Sequence, residues 1–336
     1  MIFSEKACIG RGGQGAVYRI WDLELGRNVA VKVVKGNALQ EAVFLSRLKH
    51  RALPVVIQAY CENGNTYIFM EYIEGKTLTE VIEKRGGISQ EQAVSWGLEI
   101  LDVLQYLHGF RPSLVYGDLK TDNLMIQNDG RIRLIDFGAV KETRDHQTKS
   151  ASVCYLTRGF AAPELYNSEL NCSPDIRSDI YSFGAVLFYM LTAKDPSRPP
   201  YHIKQIRSHD PGLSDKLNHL IDRCTRTQPA NRYQSCVECA RDLNCFRQTD
   251  QKVNLIKNIC KSVYHMMLLI SCILSLIGME HINKGSAMNG LSLLVAGGLV
   301  CLVCSLIRMR LLENKNSQLP VRTTVSLFLT EKKTQY

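Results

Sequence analysis

No apolar core segment lies within Met1 to Gly15, so no secretory signal is expected at that end of the chain. The eight histidines form no ligand cluster, which removes the usual basis for a histidine metal centre. Cys236-Val237-Glu238-Cys239 has no second cysteine pair at zinc-site distance, and Cys301-Leu302-Val303-Cys304 lies in an apolar run. The twelve cysteines are therefore read as small packing residues with reduced thiols. A net charge of +9 comes with no nucleic-acid motif, so no nucleic-acid partner is expected. From residue 248 onward ten Lys/Arg face four Asp/Glu, which places most of the positive excess beside an apolar tail.

What is present is concentrated in two segments. Tyr116-Gly117-Asp118-Leu119-Lys120-Thr121-Asp122-Asn123 is followed by Asp136-Phe137-Gly138. Together they supply an acid, an amine and a metal-binding pair. Phosphoryl transfer needs such a set: an Asp to orient the attacking hydroxyl and accept its proton, a Lys to neutralise the moving phosphate, and an Asn and a second Asp to hold magnesium against nucleotide phosphates. Upstream, Gly10-Arg11-Gly12-Gly13-Gln14-Gly15-Ala16-Val17 fits a glycine-rich hairpin able to close over phosphates without an intervening Cβ. A dinucleotide site would continue into a helix, but Ala16 to Trp21 reads as a strand. In Val29-Ala30-Val31-Lys32-Val33, alternation puts Lys32 with Ala30 on one face and the three valines on the other. Glu41, Leu45 and Leu48 follow at helical spacing, and Lys32 is the expected partner of Glu41.

These segments resemble the eukaryotic-like (Hanks-type) serine/threonine protein kinases, from about residue 3 to about residue 247. Ala162-Pro163-Glu164, the helix beginning Ser178-Asp179, and Pro229-Ala230-Asn231-Arg232-Tyr233 extend the likeness. The resemblance implies an α+β, two-lobed protein kinase fold, with lobes at 1–73 and 74–247. It implies Asp118 as catalytic base, Lys120 against the transferred phosphate, and Thr157 bonded to both. Asn123 and Asp136 would ligate Mg²⁺ (or Mn²⁺), and Lys32, held by Glu41, would grip the phosphates of ATP. Gly10, Gly12 and Gly15 would form the lid. Val17, Ala30, Met70 as gatekeeper, Glu71 and Ile73 would line the nucleotide site. An Arg232–Glu164 ion pair is expected under the peptide shelf. Protein Ser/Thr hydroxyls are the expected acceptors. A pseudokinase scaffold that binds nucleotide without efficient turnover is the alternative.

Two departures stand out. The family's His-Arg-Asp is Tyr116-Gly117-Asp118 here, and only nine residues separate Lys32 from Glu41. Both remove cationic contacts that order a phosphorylated activation loop in relatives. Activity independent of loop phosphorylation is the expectation.

The tail is read as a transmembrane hairpin. Residues 262–279 and 285–307 are uncharged runs of 18 and 23 residues, separated by Glu280 to Lys284. As helices they reach roughly 27 and 34 Å, enough to span a hydrocarbon core of about 30 Å. Residues 248–261 read as a polar linker and 308–336 as a cytoplasmic tail. Lys252, Lys257 and Lys261 before the first run, and Arg308, Arg310 and Lys315 after the second, place both termini and the kinase domain inside a cell membrane. Small residues such as Gly285, Gly290 and Gly297 would let the spans pack together or against a second copy, so a homodimer through the spans or the kinase domain is allowed.

Overall fold

The computed structural model describes residues 3–12, 15–24, 26–143, 157–166, 175–199, 201, 203–284, 295 and 298. The chain divides into two units, Met1–Gln248 and Thr249–Tyr336. The first begins with five antiparallel strands: β1 (Phe3–Gly12), β2 (Gly15–Asp22), β3 (Arg27–Lys35), β4 (Val56–Glu62) and β5 (Asn65–Glu71), in the spatial order β1-β2-β3-β5-β4. The alternation read from Val29 to Val33 is real. Ile20, Val29, Val31 and Phe69 form a small core of their own, while Lys32 points to the opposite face. On that opposite face the register pairs Val17 with Lys32, Lys32 with Ile68, and Ala30 with Met70. Helix α1 (Leu39–Ser46) stops two residues before Leu48, yet Ala42, Leu45 and Leu48 are all buried.

The rest of the first unit is mainly helical. Short strands β6 (Lys76–Thr77), β8 (Leu124–Ile126) and β9 (Ile132–Leu134) make one sheet, and β7 (Leu114–Val115) pairs with β10 (Lys141–Glu142) in another. Helix α2 (Leu78–Arg85) opens with a reciprocal capping box. Thr77 Oγ1 accepts the Glu80 N–H, and the Thr77 N–H donates to Glu80 Oε2 at 2.8 Å. Helix α3 (Gln90–His108) is capped by Ser89, whose Oγ accepts from Gln92 N, and buries Val94, Leu101 and Leu104. Helix α4 (Ile176–Thr192) is enclosed on every side: each residue from Ser178 to Leu191 is buried. Helix α5 (Asp215–Cys224) is amphipathic, burying Leu217, Leu220, Ile221 and Cys224.

Helix α6 runs from Cys236 to Asn283 without a break, so the stretch read as a linker is helical. Among the described residues no helix is long and apolar enough to cross a membrane. The expected transmembrane hairpin is therefore not met by any described element. Residues 262–279 belong to α6, and 285–307 lie outside the described residues apart from two single positions. Within the second unit α6 exposes Val263, Met266, Leu269, Ile270, Ile273, Leu276 and Ile277.

Ala162-Pro163-Glu164 and the later arginine meet as expected. Arg232 Nη1 and Nη2 donate to Glu164 Oε1 and Oε2, each at 2.7 Å, with side-chain exposures of 0% and 1%. Ser178 Oγ adds a third hydrogen bond to Glu164, and Arg232 also donates to the carbonyls of Arg226, Arg177 and Thr227. Every polar atom of the pair is thus satisfied, the condition under which two buried charges are tolerated. Arg232→Met leaves Glu164 buried without a cation. The expected loss is about 3–5 kcal/mol of unfolding free energy in denaturant titration. The double change Arg232→Met with Glu164→Leu recovers much of that loss.

Candidate active site

The two motif segments converge. Tyr116 to Lys120 runs between β7 and a short 3-10 turn, Thr121–Asn123, which presents Asn123. The loop is held from below by Asp179 in the first turn of α4. Its Oδ2 accepts the Tyr116 N–H at 2.8 Å, and its Oδ1 accepts the Gly117 N–H at 2.9 Å. Gly117 sits at φ +80°, a left-handed conformation, and an added Cβ would lie 3.0 Å from the Ala139 carbonyl oxygen.

Asp118, Lys120, Asn123 and Thr157 form one cluster. Lys120 Nζ donates to Asp118 Oδ2 at 2.8 Å and to Thr157 Oγ1 at 3.2 Å. Asn123 Nδ2 donates to the Asp118 carbonyl at 2.8 Å and to Asp118 Oδ2 at 3.0 Å. With its amide nitrogen so used, Asn123 Oδ1 is the atom left to meet a cation. Burial pushes the Asp118 carboxyl above its ordinary value, outweighing the downward pull of Lys120 and Asn123. A base that gains basicity in place is suited to accepting a hydroxyl proton.

Asp136 begins the second segment at φ +64°, unusual for a residue with a Cβ. Lys32 Nζ donates to its Oδ1 at 2.6 Å, and the Gly138 N–H donates to the same oxygen at 3.2 Å. Burial works to raise the Asp136 carboxyl, but Lys32, the Gly138 amide and Lys120 together hold it below its ordinary value, so it remains ionised. Phe137 packs edge-on against Tyr116, with centroids 6.0 Å apart. The Tyr116 hydroxyl donates to the carbonyls of Ile135 and Asp136, so tyrosine in the histidine position joins the two segments covalently distant in sequence.

The remaining expected residues lie as follows. Gly12 pairs with Gly15 at the β1–β2 turn. Val17, Ala30 and Met70 share the Lys32 face of the sheet by register. Glu71 ends β5, and Ile73 is buried just beyond it. Glu41 lies on α1, but its side chain is outside the described residues, and the partner seen for Lys32 is Asp136. Of the serines and threonines in the activation segment, Thr148, Ser150 and Ser152 also lie outside the described residues.

Three features escaped the sequence reading. One is the capture of the loop backbone by Asp179. Its signal was a carboxylate in an otherwise apolar helix. A second is His108, whose Nε2 lies 2.9 Å from Asp179 Oδ2. The third is Arg133 on β9, which donates to Glu71 Oε2 at 2.5 Å and to the Leu53 carbonyl at 3.0 Å. A charged residue between Ile132 and Leu134 was the available hint.

Among the described residues no group of three or more His, Cys, Asp or Glu is placed to hold a metal. The donor set fits a different kind of site. Asn123 Oδ1 and the Asp136 carboxylate are two hard oxygen donors, and Mg²⁺ is commonly held by one or two such groups together with substrate phosphates and water. By register Val17, Ala30, Ile68 and Met70 lie on the same face of the sheet as Lys32.

A protein-family model described as protein kinase domain matches residues 3–243. The chain is 30% identical over 257 residues to a probable serine/threonine-protein kinase of Clostridium acetobutylicum, an alignment covering 70% of this chain and 38% of that protein. It is 30% identical over 272 residues to probable serine/threonine-protein kinase PknB of Bifidobacterium longum, with the same two coverages of 70% and 38%. To serine/threonine-protein kinase PknL of Mycobacterium tuberculosis it is 28% identical over 264 residues, covering 72% of this chain and 65% of that protein. The matched region thus spans well under half the length of the first two relatives. The matched region holds the whole cluster of Lys32, Asp118, Asn123 and Asp136, and this chain belongs to the protein kinase domain family.

Proposed function

We propose that the chain transfers the γ-phosphate of ATP, with Mg²⁺ or Mn²⁺, to serine and threonine hydroxyls of proteins. The observation that carries this reading is the hydrogen-bonded cluster of Asp118, Lys120, Asn123 and Thr157, with the Lys32–Asp136 pair near enough for Lys120 to act on the Asp136 carboxyl. Asp118 orients the acceptor hydroxyl and takes its proton. Lys120, already bonded to Asp118 and Thr157, places a positive charge beside the group in transit. Bound metal, held by Asn123 and Asp136, would neutralise charge on the nucleotide phosphates. Lys32 orients Asp136 and offers its ammonium to the same phosphates. Catalysis of this kind is positioning plus electrostatics.

Asp118→Asn removes the base while keeping shape. In an assay of the full chain with labelled ATP and a protein substrate, kcat is expected to fall about 10²- to 10⁴-fold. Activity of the unaltered chain is lost on acidification through a pKa above the usual carboxylate value of about 4, because the deprotonated form is the working one. Nucleotide binding with no transfer by the unaltered chain would make it a pseudokinase.

Independence from activation-loop phosphorylation is the finer part of the proposal. It is supported by glycine at position 117, which offers no cation to a loop phosphate, and by Asp179, which fixes the loop backbone without one. Changing Thr143, Thr148, Ser150 and Ser152 together to Ala should leave kcat within about tenfold, a barrier change near 1.4 kcal/mol. A drop of about a hundredfold or more, near 2.7 kcal/mol, would sink it.

Membrane attachment of the second unit, with both termini cytoplasmic, is proposed on two grounds: the outward apolar residues of α6 from Val263 to Ile277 and the 23 uncharged residues at 285–307. Full-length chain is expected to stay in the membrane pellet after an alkaline carbonate wash. Release by that wash would contradict attachment through spans. Replacing Leu269, Ile270 and Ile273 with Lys is expected to move the chain to the soluble fraction.

A further inference from the structure

Thr157 to Ala161 forms a tight turn. The Thr157 carbonyl accepts both the Phe160 N–H at 3.2 Å and the Ala161 N–H at 2.9 Å. Gly159 stands at φ +89°, and a Cβ there would fall 1.9 Å from the Pro196 carbonyl oxygen, so the turn lies directly against residue 196. Phe160, Ala161 and Ala162 are buried. The turn therefore presents one side chain outward, that of Arg158. Its backbone is fixed on one side by Thr157, which touches Lys120, and on the other by the contact at Pro196.

Arg158 has no carboxylate partner among the described residues. Among the described residues, Glu164 is committed to Arg232, and Asp195 to Ser197 and Arg198. Arg177, Arg207, Arg223 and Arg226 of this lobe each have an Asp or Glu partner, whereas Arg85, Arg111, Arg241 and Arg247, like Arg158, have none among the described residues. The guanidinium lies 6.0 Å from the ring of Tyr201, which is itself exposed, as is Tyr166. Burial raises the Tyr166 hydroxyl above its ordinary value and Arg158 offsets part of that rise, so the cation lies near Tyr166 as well. A rigidly mounted, unpaired guanidinium beside two tyrosines is a ready receptor for a carboxylate.

We propose that Arg158 is a specificity-determining residue, selecting acceptor segments that carry an Asp or Glu next to the phosphorylated serine or threonine. This rests on the kinase reading above. It goes further by naming the chemical class of the substrate. The acceptor hydroxyl must reach Asp118, and Thr157 already contacts the Lys120 that bonds Asp118. A substrate residue adjacent to the acceptor thus passes over Arg158, where a carboxylate can accept two parallel N–H bonds. A lysine there meets like charge instead.

The test uses the full chain in detergent micelles and a peptide set with one serine, in which Glu, Ala or Lys occupies each of three positions on either side. Glu at one or two flanking positions is expected to raise kcat/KM about 5- to 30-fold over Ala, the range of a charge-assisted pair. The preference should weaken as salt is added. Arg158→Ala should abolish it while leaving kcat/KM on the all-Ala peptide within about threefold, under 0.7 kcal/mol and so outside the range of a folding defect. Arg158→Glu should reverse it in favour of Lys. Equal rates on Glu, Ala and Lys peptides, or an acidic preference that survives Arg158→Ala, would overturn the proposal. No turnover of any peptide by the unaltered chain would instead count against the kinase reading on which it rests.

Discussion

One buried carboxylate sets the geometry on which the rest depends. Asp179 is fully buried and accepts from three donors: the backbone N–H groups of Tyr116 and Gly117, and a ring nitrogen of His108. An ionised carboxylate away from water is costly unless its oxygens are bonded, and the two backbone amides would be equally costly if left unmade. Each side therefore requires the other, and the loop that carries Asp118 has one position in which the debt is settled. The start of α4 helps. Asp175 and Ser178 cap it reciprocally, which places Asp179 in the first turn, where the helix dipole favours negative charge.

The same turn of α4 receives the second buried network. Ser178, the neighbour of Asp179, donates to Glu164, and Glu164 is clasped by Arg232. Two elements of the site thus share a single foundation two residues long: the catalytic loop through Asp179 and the end of the activation segment through Ser178. Thr157 closes the circuit from above, through Lys120. Physical contiguity couples the two networks. A shift of α4 by a fraction of an ångström would disturb both hydrogen-bond sets at once, and misplacement on that scale is enough to impair transfer chemistry.

Much of this was legible in the chain. Chemistry-bearing residues such as Asp118, Asn123 and Asp136 were readable because their type and spacing are dictated by the reaction, and Val29 to Val33 because alternation is dictated by the pleat. The Arg232–Glu164 pair was readable only through the family likeness, since 68 residues separate the partners and no local pattern joins them. Asp179 was visible as an oddity in an apolar helix, but its partners are backbone amides, which every sequence possesses and none displays. Arg133 and Glu71 were equally opaque: a strand of three residues is too short for periodicity to show which side chain turns inward. The tail misled in a different way. Uncharged length alone suggested a break near 261, whereas α6 continues through the polar stretch from Thr249 to Lys261.

Glycine at position 117 changes more than a side chain. A residue with a Cβ at φ +80° carries a conformational cost of about 1 kcal/mol, and here it would also press on the Ala139 carbonyl. The backbone at this point is left-handed because both N–H groups, at 116 and 117, must reach the two oxygens of one carboxylate. Asp136 adopts the same hand without being glycine, and Lys32 and the Gly138 amide hold its carboxylate in place. The two motif segments therefore each contain one left-handed residue, held by ionic hydrogen bonds rather than by local preference. Tyr116 ties them together, its hydroxyl bonded to the carbonyls of Ile135 and Asp136.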